Sequence, residues 1–173
     1  MADPICGMNT GEAATGEPVI VGGIHGNGAP GDFSASTDAA KAYFDCVNAN
    51  GGINGRPIDY RVENDQWNPE LAAQAAAKLV GDAGAVALVG NSSFIEMAVN
   101  AQTYVDNGIM VMASACAISE CFETPLMSVY MFPGTIRLPR CRRMVKVCSP
   151  VQALETTDRT DGYHALIRGL VTA

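Results

Sequence analysis

Gly90-Asn91-Ser92-Ser93 places an amide and two hydroxyls between an apolar run, Ala85 to Val89, and a helical pattern that begins near Phe94. Free backbone N–H groups and the positive end of a helix dipole favour an anion at such a start. No Gly-Lys-Ser/Thr sequence follows, so the turn suits a carboxylate better than a triphosphate. Ser93 and Glu96 also stand three apart, the spacing of a capping box, in which the acid reaches back to the cap. A second stretch, Ser114-Ala115-Cys116-Ala117, offers small residues that let a ligand come close to the backbone.

Other chemistry is sparse. Gly26-Asn27-Gly28-Ala29-Pro30-Gly31 spells a dinucleotide pattern. However, Pro30 falls where the helix should start, and the second strand closes near Glu63, more than 30 residues past Gly31, too far for its acid to hold a ribose. There is no Gly-x-Ser-x-Gly elbow, and His25 and His164 are the two histidines. Six cysteines occur without a Cys-x-x-Cys pair, which argues against zinc. Cys116 and Cys121 could close a small disulfide ring in an oxidising compartment, or stand as free thiols. Asp65 is expected to be a solvated acid at a strand end, and Trp67 a cover over the following helix start. No catalytic set, metal site or cofactor is expected.

These residues need elements to hold them. The chain has 173 residues, enough for one domain with its own core, and its 48 % apolar and 17 % charged content is that of a folded protein. A net charge of −7 argues against a general attraction to nucleic acid or anionic membrane. No apolar run reaches the ~20 residues of a membrane span, and the opening "MADPICGMNT" lacks the basic start and apolar stretch of a signal peptide.

Residues 18–125 alternate strand and helix patterns. The expected strands are 18–24, 58–63, 85–90 and 109–112, and the expected helices 36–50, 68–82 and 94–106. Ser34 or Ser36 is placed to cap the first helix, and Asn68, Pro69 and Glu70 form a helix start. This βαβαβαβ order predicts an α/β fold: a parallel sheet with helices on both faces and ligands at the C-terminal strand ends. Residues 1–17 lack a period and suggest a flexible lead. Residues 126–173 lose periodicity and carry a net +4, against −11 before them, which suggests a tail that is not part of the native fold.

The stretch "YFDCVNANGGINGRPIDYRVENDQWNPELAAQAAAKLV" resembles the type I extracytoplasmic solute-binding proteins of the branched-chain amino-acid (leucine/isoleucine/valine) family. The Asn-x-x-Gly-Gly-Ile-x-Gly turn, the acidic knot before the second helix, and "AVALVG" with its Ser turn carry the resemblance, which covers about residues 18–124. It implies a Rossmann-like lobe of a two-lobed protein, here incomplete. The ligand's carboxylate would meet Asn91, Ser92 and Ser93, and its ammonium the loop at Ala115, Cys116 and Ala117, with Phe33 and Ser114 lining the cleft. Ala117 stands where relatives often carry Thr. The resemblance further implies a periplasmic or extracytoplasmic location, an ABC-type permease as partner, and no enzymatic step. A Rossmann-like enzyme with a nucleotide cofactor, and a sensory domain of the same fold, are the alternatives.

Overall fold

The computed structural model describes residues 6–114 and 118–129, all within one compact unit. Five parallel strands form one sheet in the order β2-β1-β3-β4-β5, with β1 Val19–His25, β2 Ile58–Asn64, β3 Ala87–Asn91, β4 Met110–Ala113 and β5 Met127–Val129. The helices between them are α1 Ala35–Ala49, α2 Pro69–Ala76, α3 Phe94–Asp106 and the short α4 Glu120–Glu123. A π-helical stretch, Ala77–Asp82, continues α2 and keeps Leu79 buried. Right-handed crossovers place α1 on one face and α2 and α3 on the other. The four expected strands and three expected helices are present, with ends displaced by one or two residues. The short α4 and β5 were not expected, and β5 lies beyond the boundary that charge and periodicity place at residue 125. A three-residue strand after a four-residue helix is too short to leave a period.

The larger core lies on the α2/α3 face, where Ile24, Leu79, Leu88, Met97, Tyr104 and Val111 are buried together. On the central strand, Gly22 makes this packing possible. A Cβ there would stand 2.5 Å from a Leu88 methyl and 3.0 Å from one of Leu79. The neighbouring Gly23 does the same for the α1 face, where the Tyr60 hydroxyl donates to the Val89 carbonyl at 2.6 Å and the Phe44 ring meets Tyr60 edge-on at 5.0 Å. Burial raises the Tyr60 pKa. No helix among the described residues is long and apolar enough to cross a membrane.

The return from α1 to β2 is fixed by side chains as well as backbone. Gly51 takes φ +90° just after the helix, where a Cβ would be strained. Asn48 then clamps the next strand. Its Nδ2 donates to the Ile58 carbonyl at 2.8 Å, and its Oδ1 accepts from the Ile58 N–H at 2.7 Å. Asn68 caps α2 as expected, accepting from the N–H groups of Glu70 and Leu71. The expected cap of α1 is absent. Ser34 makes no side-chain cap bond, and the Ser36 hydroxyl donates instead to the Gly90 carbonyl at 2.7 Å, which ties α1 to the end of β3.

Residues 6–17 carry no helix or strand, but they are anchored. Cys6 and Cys46 form a disulfide across 40 positions, and the N–H groups of Met8, Ala14 and Gly16 donate to carbonyls of Asn50, Asn48 and Gly55. Distance in sequence hid this pairing, and no short-range spacing signals it.

Two outcomes are expected. Replacing both Cys6 and Cys46 by Ser should lower unfolding stability by up to about 4 kcal/mol, the loop-closure entropy of a ring this size, measured by urea titration. Asn48→Ala should cost roughly 1–3 kcal/mol by leaving the Ile58 backbone pair unsatisfied, with faster amide exchange at the start of β2.

Candidate functional site

The parallel strands all end at one rim, and the residues singled out above gather there. β3 ends in Asn91, and its neighbour β4 ends in Ala113, paired with Asn91 in register. Ser114, one step further on, donates to the Asn91 carbonyl through its N–H at 2.8 Å and its hydroxyl at 3.1 Å. The Ser turn and the start of the small-residue stretch therefore adjoin. Ala115, Cys116 and Ala117 lie outside the described residues, and so does the expected Cys116–Cys121 pairing.

Both hydroxyls of the turn are engaged within the protein. Ser92 donates to the Phe33 carbonyl at 2.8 Å and holds the loop after β1 over the rim. Ser93 accepts from the Glu96 N–H at 3.2 Å and donates in a short hydrogen bond to Asp65. Both serines are buried. What the turn leaves open is its backbone: the N–H groups of Phe94 and Ile95 begin α3 and have no acceptor within the helix.

Two expectations fail here. Asp65, at the end of β2, is not solvated but wholly buried. One of its oxygens accepts from the Trp67 N–H at 2.9 Å and the other from Ser93. The capping box is only half formed, because Glu96 is drawn inward and does not reach back. Its carboxyl takes a short hydrogen bond from the Tyr104 hydroxyl, one of the largest buried groups in the lobe. Burial pushes the Glu96 pKa up to about 8, against the opposing pull of the Tyr104 and Asn91 hydrogen-bonding groups; the Asp65 charge adds to the rise. Burial likewise raises Tyr104. Asn91 is also buried, and its Oδ1 accepts from the Ile24 N–H of β1 at 3.3 Å.

Above this polar floor stands an aromatic wall. Phe33 meets Trp67 edge-on at 5.3 Å and Phe94 at 6.0 Å, and Trp67 lies 5.8 Å from Phe94. The Trp67 ring covers Gly26 and donates from Nε1 to the Gly31 carbonyl at 2.9 Å. Its place is over the glycine loop, and it does not simply cover the start of α2. Trp67 and Phe94 were not among the expected site residues. Their signal was that each follows a strand end by a few residues. The glycine loop itself closes back on Asn27 and Asp32 through an isolated antiparallel bridge, and α1 begins only at Ala35. A phosphate cradle needs the glycines to open directly into the helix. The Asp32 pKa is lowered by the Ser34 N–H that it accepts.

Comparison with known proteins follows the same outline. The profile of the family described as "Periplasmic binding protein" matches residues 19–138, which carries the likeness past the boundary at 125 and across β5. A chemotactic signal transduction system substrate-binding protein, BasB of Halobacterium salinarum, is 32 % identical over 107 residues, covering 59 % of this chain and 26 % of its own. Among solved structures, the branched-chain amino acid transporter substrate-binding protein LivJ of Streptococcus pneumoniae, in complex with isoleucine, superposes with a TM-score of 0.60 at 18 % identity, over 65 % of this chain and 33 % of that one. An ABC transporter solute-binding protein of Rhodopseudomonas palustris, in complex with 3,4-dihydroxybenzoic acid, gives 0.56 at 16 % identity, over 65 % and 31 %. The chain thus spans about a third or less of the length of these relatives. With the matched profile covering most of the chain and the same parallel α/β lobe beneath it, this protein belongs to the Periplasmic binding protein family.

Proposed function

We propose that this lobe contributes one wall of a cleft for an amino acid or a similar small polar ligand, which it binds without chemical change for uptake by an ABC-type permease outside the cytoplasm. The observation that carries this is the convergence of the α3 start, Ser114 and Phe33 on one rim, with the Phe33 carbonyl accepting from Ser92 and its ring against Phe94. The ligand's carboxylate meets the turn of Asn91, Ser92 and Ser93, chiefly through the backbone N–H groups that open α3, since the two hydroxyls are already engaged. The ammonium faces Ser114, Ala115, Cys116 and Ala117. Phe33, 38 % exposed at the rim, covers the ligand's apolar part.

Two structural relatives support the ligand class. One complex holds isoleucine and another 3,4-dihydroxybenzoic acid, both small molecules that combine a carboxyl group with an apolar body. Delivery to a signalling system in place of a permease is a second reading, favoured by the chemotactic BasB relative.

A single lobe supplies half of the contacts and does not exclude water by itself. Isothermal titration of this chain with a panel of amino acids should therefore give dissociation constants on the order of millimolar or weaker. In NMR titrations, isoleucine should move the amide signals of residues 91–95 first, and Phe33→Ala should weaken that response. Micromolar binding by this chain would overturn the half-cleft reading. A thermal shift with NAD, with no response to amino acids, would favour a nucleotide enzyme.

A further inference from the structure

Behind the rim, two acids are buried together, and no ion pair among the described residues involves either of them. Asp65 and Glu96 are both 0 % exposed, and Ser93 touches both residues, donating to the Asp65 carboxylate and accepting from the Glu96 N–H. The ion pairs formed among the described residues are Lys41–Asp45, Arg61–Asp59 and Lys78–Glu63, all elsewhere. Among the described residues, the titratable groups that face Glu96 are Asp65 from the end of β2 and Tyr104 from α3; β3 presents the neutral amide of Asn91. Glu96 Oε2 and Asn91 Nδ2 are buried and make no hydrogen bond of good geometry. A fully charged oxygen in that position would be far more costly than a neutral one. Burial first, and the nearby Asp65 second, disfavour the ionised form of Glu96.

We propose that Glu96 is a positioning residue of the Ser92–Ser93 turn and that it holds the turn as an un-ionised acid. In that form it accepts from Tyr104 and lies against Asn91, which itself accepts from β1, so the ends of β1, β3 and α3 are joined through neutral groups. It also leaves the positive end of α3 uncompensated by a charge in the helix's first turn. Ionisation of Glu96 sets a second negative charge beside Asp65, shifts the turn, and weakens the hold on a carboxylate. The inference about binding rests on the ligand proposed above; the effect on the turn does not.

The sign follows from the raised pKa. The stability linked to the buried proton is fully present below the ordinary pKa of 4.5 and is lost as the pH rises through about 8. The test is a pH titration of the full chain by NMR, from about pH 5 to 9.5. The amide signals of Ser93, Phe94 and Ile95 should share an inflection near pH 8. Glu96→Gln should abolish it, keep the low-pH signal positions, and flatten the fall of Tm with pH. Tyr104→Phe removes a donor and should move the inflection upward, which supplies a second variant should the first fail to fold. Isoleucine affinity should drop by about fivefold across the inflection and become independent of pH in Glu96→Gln. A folded wild-type chain with no inflection at these amides, or an inflection that survives Glu96→Gln, would overturn the proposal. An inflection with no response to isoleucine at any pH would support the role of Glu96 and remove the ligand.

Discussion

The hydrogen bond from Ser93 to Asp65 is the constraint on which the rim depends. It joins the first turn of α3 to the end of β2, two elements that are not neighbours in the sheet, since β1 lies between β2 and β3. Asp65 also receives the Trp67 N–H, so one buried carboxylate fixes the helix start and the aromatic strap at once. Ser93 keeps its own half of the cap by accepting from the Glu96 N–H, while the Glu96 side chain turns inward to Tyr104. Gln66 and Trp67 both take positive φ, near +51° and +59°, a conformation uncommon outside glycine. The hydrogen bond to Asp65 helps to hold that strap in place.

The rim is firm because the sheet beneath it is closely packed. Gly22 and Gly23 let helices and side chains meet β1 from both faces, so the central strand is covered without bulk of its own. Polar side chains then join element to element: Asn48 joins α1 to β2, Ser36 joins α1 to β3, and Asn100 of α3 donates to the Ala72 carbonyl of α2 at 3.0 Å. Each of these gives a backbone carbonyl of one element a side-chain donor from another. A lobe built in this way keeps its strand ends in fixed relation.

Much of this fold was legible in the sequence because it is written in short-range signals. Apolar runs of strand length, the cap at Asn68 and the turn at Gly51 each act within a few residues, and together they give the alternation that makes a parallel sheet. The rim was legible only in part. Asn91, Ser92, Ser93 and Ser114 stand out in the sequence by their position after strands, and Asn91 and Ser114 adjoin in the fold. Asp65 was misjudged because burial of an acid depends on Ser93 and on the covering strap, neither of which is near it in sequence. The Cys6–Cys46 bond and the inward turn of Glu96 were missed for the same reason: each is decided by a partner that only the fold brings close. The fifth strand was missed because three residues carry too little pattern to separate from a tail.

One consequence of the aromatic wall is optical. The chain holds a single tryptophan, and Trp67 stands at the rim between Phe33 and Phe94, with its indole N–H held by the Gly31 carbonyl. Indole fluorescence from this protein therefore originates at this aromatic cluster on the rim. Any event that loosens the glycine loop, wets the strap or brings a molecule against these rings will register as a change in emission colour or intensity, without a label and without altering a residue.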